Sequence, residues 1–101
     1  MKNFKVDKMV KVKKIVKHRP YSHANIAARI KIGEIGKIKE VISYHMINVT
    51  FYLKYYSRTR RYFRNSEIMF RSELTDANDE EKERFLEREE ICIAKEVARG
   101  L

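Results

Sequence analysis

Basic and aromatic side chains alternate through one stretch of this 101-residue chain, Tyr52-x-Lys54-Tyr55-Tyr56-x-Arg58-x-Arg60-Arg61-Tyr62-x-Arg64. Guanidinium groups grip phosphates as two-pronged forks, and tyrosine rings stack on unpaired bases. In that chemistry Lys54, Arg58, Arg60, Arg61 and Arg64 hold phosphates, while Tyr52, Tyr56 and Tyr62 stack. The same residues also suit an acidic protein surface, or a solvated sheet face packed across strands.

Two further basic sets flank this one. The lysines at 2, 5, 8, 11, 13, 14 and 17 form a stripe, of which Lys11 and Lys13 are candidates for sequence-independent phosphate contacts. Lysines on an edge strand also guard against aggregation. His18, Arg19, Tyr21, His23 and Arg29 lie in a long connection and are candidates for tuning specificity.

Other chemistries find little support. His18 and His23 are not at a metal-ligand spacing, and no cysteine or carboxylate cluster joins them, so neither a metal nor a cofactor is expected. Gly33-Glu34-Ile35-Gly36 is too short for a phosphate-cradling Walker loop and lacks its Lys-Ser/Thr. No nucleophile–base pair can be assembled, and the expectation is a binding module rather than an enzyme.

These residues need elements to position them. Val10 and Val12 alternate with Lys11 and Lys13, which predicts a first strand over 9–17, bulged near Lys14-Ile15. Pro20 cannot sit in a central strand, so 18–32 is a connection, with Ser22 a candidate cap for a short helical turn. Gly33 and Gly36 supply backbone freedom at the start of a strand over 33–44.

The clearest strand is 46–56. Ile47, Val49, Phe51, Leu53 and Tyr55 share one face; Met46, Asn48, Thr50, Tyr52, Lys54 and Tyr56 share the other, which should face outward. Residues 59–64 should return antiparallel. Asn65-Ser66-Glu67 should then turn the chain into a last short strand at Ile68 and Phe70. Cap candidates between Thr75 and Asn78, followed by Asp79, Glu80 and Glu81, predict a helix running to about Arg99. Leu86, Ile93 and Val97 cluster on one side of it and are the candidate partner-helix residues.

Charge divides the chain at the same place. Residues 1–74 carry 18 Lys/Arg against 5 Asp/Glu, a balance of +13; residues 75–101 carry 5 against 9, a balance of −4. A basic body (1–74) and an acidic helix (75–101) are the expected units. The body should be drawn to RNA, DNA or a nucleic-acid-associated protein. The helix should dock on the body, engage a protein partner, or shield the body by mimicking nucleic-acid charge. With one cysteine, Cys92, no internal disulfide can form. No apolar run reaches the ~18–20 residues that span a bilayer. The stretch Met1-Lys2-Asn3-Phe4-Lys5 is basic and lacks the apolar run of a signal peptide. A cytoplasmic protein without a membrane partner is therefore expected.

Three segments carry a resemblance. Residues from Phe4 to Val12 look like the opening strand of SH3-like barrels, without the usual glycine before Asp7. Gly33-Glu34-Ile35-Gly36-Lys37-Ile38 resembles the Gly-x-x-Gly-x-apolar core of a KOW motif. Tyr62-Phe63-Arg64-Asn65-Ser66-Glu67-Ile68 resembles the turn and final strand of these barrels, including the variable chain of ferredoxin–thioredoxin reductase. The resemblance spans about residues 4–71. It implies a five-stranded SH3-like barrel and does not reach the C-terminal helix; with that helix added, the expected fold is mainly β, a five-stranded SH3-like barrel followed by one long α-helix. The resemblance also implies a binding module of the kind used in ribosomal, transcription-elongation and enzyme-subunit settings. It transfers no catalytic residue. The runner-up function is a regulatory subunit or inhibitor that binds an acidic surface of a larger protein.

Overall fold

The computed structural model describes residues 4–16, 30–54 and 62–100, with backbone alone at Lys54 and over 95–100. Five strands form one antiparallel sheet: β1 (Met9–Val12), β2 (Ile35–Val41), β3 (Met46–Lys54), β4 (Tyr62–Phe70) and β5 (Leu74–Asp76). Their order is β4-β3-β2-β1-β5, so the short β1 sits between β2 and the last strand. The sheet is open, with β4 and β5 at its edges. A 3-10 turn at Arg71–Glu73 joins those two edges, and a single helix, α1 (Asp79–Gly100), follows.

One face of the sheet is the apolar core. Val10, Val12, Ile38, Ile47, Val49, Phe51, Leu53, Met69 and Leu74 are buried there with Phe4 and Ile30. The alternation in β3 sends Ile47, Val49, Phe51 and Leu53 inward, as the sequence indicates. The candidate inward residue Tyr55 lies outside the described residues. Gly36 serves packing more than flexibility: a Cβ there would collide with Val49 Cγ1 and the Phe51 ring. Gly33 does need its freedom, with φ at +95° in the turn before β2.

Three expectations need correction. The first strand ends at Val12, and the loss of phase near Lys14 marks its end rather than a bulge. Lys13 N–H then donates to the Glu73 carbonyl (2.7 Å), and Val16 N–H to Glu73 Oε2 (2.8 Å). The bulge falls in β2 instead, where the register shifts between Ile38 and Glu40. Second, Asn65-Ser66-Glu67 does not turn the chain. It is mid-strand in a nine-residue β4 that pairs with β3 from Lys54↔Tyr62 to Met46↔Phe70. Continuous pairing with a long neighbour overrides the turn preference of these residues. Third, the last strand is not Ile68–Phe70 but Leu74–Asp76, paired with β1. Residues 75–76 therefore belong to the sheet, and the helix opens at Asp79.

The helix start is specified locally. Glu81 N–H donates to Asn78 Oδ1 (2.8 Å), while Asn78 N–H donates to Glu81 Oε1 (2.9 Å). This reciprocal capping box satisfies two N–H groups at the helix N-terminus. Among the described residues, no helix is long and apolar enough to cross a membrane.

Candidate nucleic-acid interface

The second face of the sheet carries Lys11, Tyr52 and Arg64 of the residues singled out for binding, and α1 lies on part of it. Tyr52 points away from the core, as its alternation requires. It is not the exposed stacking ring expected: it is buried, packed against Phe85 with Cys92 beside it and Met9, Ile35 and Tyr62 around them. The Tyr52 and Phe85 ring centroids are 5.3 Å apart. Phe85 and Cys92 are seven residues apart, two helical turns, so they share one stripe. Leu86 and Ile93 lie about a quarter-turn away and stay exposed, at 42% and 44%. They do not form the docking surface. The Val97 side chain lies outside the described residues.

Ion pairs ring this apolar contact. Glu89 Oε2 accepts from Lys37 Nζ (2.9 Å) and from the Tyr52 hydroxyl (3.2 Å). Arg88 Nη1 donates to Glu34 Oε1 (3.0 Å) and to the Tyr52 carbonyl (3.3 Å), and its guanidinium lies 5.1 Å from the centre of the Tyr62 ring. At the other end of the contact Lys11 Nζ meets Glu81 Oε2 at 3.1 Å, while Lys8 pairs with Asp76 at 2.7 Å. Lys11, a candidate phosphate contact, is thus neutralised from within the chain. The acidic helix docks on the basic sheet.

The protonation equilibria record the burial. Burial, then the adjacent Glu89 carboxylate, push the Tyr52 hydroxyl above its ordinary value of 10.0, while Arg64 opposes them. Burial raises Glu34 above its ordinary 4.5 and outweighs the opposing Arg88 guanidinium. Glu81 goes the other way, held below 4.5 chiefly by its bond from the Asn78 backbone and then by Lys11.

Beside the helix the sheet stays open. A depression of about 260 Å³ crosses β2, β3 and β4, lined by Lys37, Lys39, Thr50, Tyr52, Arg64 and Ser66, with Asp7 and Glu89 also on its wall. Lys39 and Arg64 are exposed, and the Thr50 and Ser66 hydroxyl oxygens lie 3.4 Å apart between them. Arg64 and the half-buried Tyr62 are thus placed where β4 starts, next to the described end of β3. The Lys54 side chain, Tyr56, Arg58, Arg60 and Arg61 lie outside the described residues. So do His18, Arg19, Tyr21, His23 and Arg29. Lys13 is exposed, but at a different part of the surface.

Sequence reasoning missed Lys37, Lys39 and the helix residues Phe85, Arg88 and Glu89. One signal was available: Phe85 is the sole aromatic residue after Phe70, and an aromatic residue on a charged helix needs a place to bury. Among the described residues, no group of three or more His, Cys, Asp or Glu side chains could hold a metal ion. Comparison with protein-family models, with curated proteins and with solved structures finds no match to this chain.

Proposed function

We propose that the protein is a non-enzymatic binding module that contacts RNA or DNA through the open basic part of its second sheet face. The observation that carries this reading is the depression across β2, β3 and β4. Lys39 and Arg64 place exposed cations there, the exposed Ser66 adds a hydroxyl, and Lys37 stays paired with Glu89 on the wall. Cations with hydroxyls on a shallow surface suit phosphates, which position a nucleic acid without reading its sequence. In sequence, Arg58, Arg60 and Arg61 fall between β3 and β4 and add to the basic character of the chain there.

The same reading takes the sheet as an SH3-like barrel. Its support is a first strand lying between the second and the fifth, a long β1–β2 connection, and a 3-10 turn leading into the last strand. The lone cysteine supports a reducing, cytoplasmic setting.

A second reading has its own observation. Leu86 and Ile93 form an exposed apolar flank on α1 that the docked face does not use. A regulatory subunit or inhibitor would bind a larger protein through such a flank. Substitution separates the two readings. Lys39→Glu with Arg64→Glu should abolish oligonucleotide binding measured by fluorescence anisotropy, and Leu86→Asp with Ile93→Asp should leave it intact. Full oligonucleotide binding by Lys39→Glu with Arg64→Glu would refute the assigned face.

A further inference from the structure

The turn between β2 and β3 faces the 3-10 turn across a second depression, of about 380 Å³, lined by Phe4, Lys13, Tyr44, His45, Arg71 and Ser72 together with Leu74. Its centre is a stack. The Arg71 guanidinium carbon lies 4.7 Å from the Phe4 ring centre and 4.6 Å from that of Tyr44. Tyr44 nonetheless keeps 63% of its surface exposed. A tyrosine with a cation against one face and much of its ring in solvent is a platform for a planar, anionic ligand.

The site is built rather than incidental. Arg71 N–H donates to the His45 carbonyl (2.8 Å), which ties the two turns together. Glu73 is fully buried, and its carboxylate accepts from Phe70 N–H (2.8 Å) and Val16 N–H (2.8 Å). Its carbonyl accepts from Lys13 N–H (2.7 Å). One residue therefore fixes the segments that carry Lys13 and Arg71. Preorganisation of this kind lowers the cost of binding.

Charge sets the class of ligand. The depression beside the helix has Asp7 and Glu89 on its wall, and the smaller one under α1 has Glu34. Among the described residues lining the Tyr44 depression there is no carboxylate, while Lys13 and Arg71 are both cationic. We infer that this is a nucleotide-binding site for single-stranded nucleic acid, with one unpaired base stacked on Tyr44 and its phosphate held by Lys13 and Arg71. A duplex keeps its bases inside the stack and cannot offer one to Tyr44. The inference rests on the nucleic-acid reading above and adds to it a preference for unpaired strands.

The test is anisotropy at low salt with three labelled probes: a short oligothymidylate, an abasic oligomer of equal length, and a duplex. Tyr44→Ala should weaken oligothymidylate binding about 5- to 150-fold and leave abasic binding unchanged. Tyr44→Phe should bind like the parent. Lys13→Glu should weaken both single-stranded probes. Tyr44 is exposed, so its loss should leave the unfolding midpoint in place. If Tyr44→Ala binds oligothymidylate like the parent while Lys39→Glu with Arg64→Glu does not bind it, this site is refuted and the open groove stands. If the parent binds no probe, the nucleic-acid reading itself fails. A phosphotyrosyl peptide that binds more tightly than oligothymidylate, and loses affinity in Tyr44→Ala, also overturns the assignment.

Discussion

The two faces of the sheet are held by different physics. The inner face is closed by aliphatic and aromatic side chains from all five strands. The outer face is closed over part of its area by one helix, through a small apolar contact at Phe85 and Cys92 ringed by the pairs Lys11–Glu81, Lys37–Glu89 and Arg88–Glu34. Apolar burial is neither titrated nor screened as a charge is, whereas partly exposed ion pairs are screened and contribute little each. The inner face therefore sets the fold. The outer face sets how much basic surface remains available to a ligand.

Several substitutions would sharpen or break that contrast. Phe85→Ala should have the largest effect, because it removes the aromatic anchor of the helix contact. A cost of about 3–5 kcal/mol is expected in denaturant unfolding, with Tyr52 becoming solvent-accessible. A cost below ~1 kcal/mol would mean that ion pairs alone hold the helix. Gly36→Val tests the inner face by forcing a side chain against Val49 and Phe51. Overpacking there should cost about 1–3 kcal/mol. Asn78→Ala removes the cap of α1 and should cost about 1 kcal/mol.

A pH series reads the ionic part of the outer face. Glu81 has a depressed folded-state value, so its ionised form stabilises the fold fully above about its ordinary 4.5. That contribution is lost as pH falls through the lower folded value. Glu81→Gln keeps a capping acceptor but removes the charge, so it should flatten the acid limb of the stability curve below 4.5. An unchanged limb would remove Glu81 from the acid response. The smallest effect belongs to Leu86→Asp with Ile93→Asp. Both side chains are exposed, and each change should alter unfolding free energy by less than about 0.5 kcal/mol.

The contrast also explains what was legible in the sequence. Strict alternation in β3 exposes the inner face, because Ile47, Val49, Phe51 and Leu53 answer to burial alone. The outer face gives no such pattern. Tyr52 looks solvated until the helix is placed over it, and that placement depends on single residues, Phe85 and Cys92, set among charges. Summing apolar residues around the helix selects the stripe at Leu86, Ile93 and Val97 instead, of which Leu86 and Ile93 stay exposed. Pairing likewise hid the length of β4. Asn65, Ser66 and Glu67 prefer turns in isolation but lie opposite Phe51, Thr50 and Val49. β5 is three residues long, too short for any periodicity to mark it. Tyr44 sits in a turn and carries no pattern of its own; only the fold brings the Arg71 guanidinium between its ring and that of Phe4.

The central claim is that the open basic part of the outer face binds nucleic acid, and salt dependence tests it most directly. Affinity of the intact chain for a single-stranded oligonucleotide would be measured by anisotropy across a salt series. The expected result is a linear fall of log affinity with log salt, with a slope of about −0.7 for each phosphate contacted, shallower by at least ~1 in Lys39→Glu with Arg64→Glu. A slope near zero, or one unchanged in that variant, would contradict the claim.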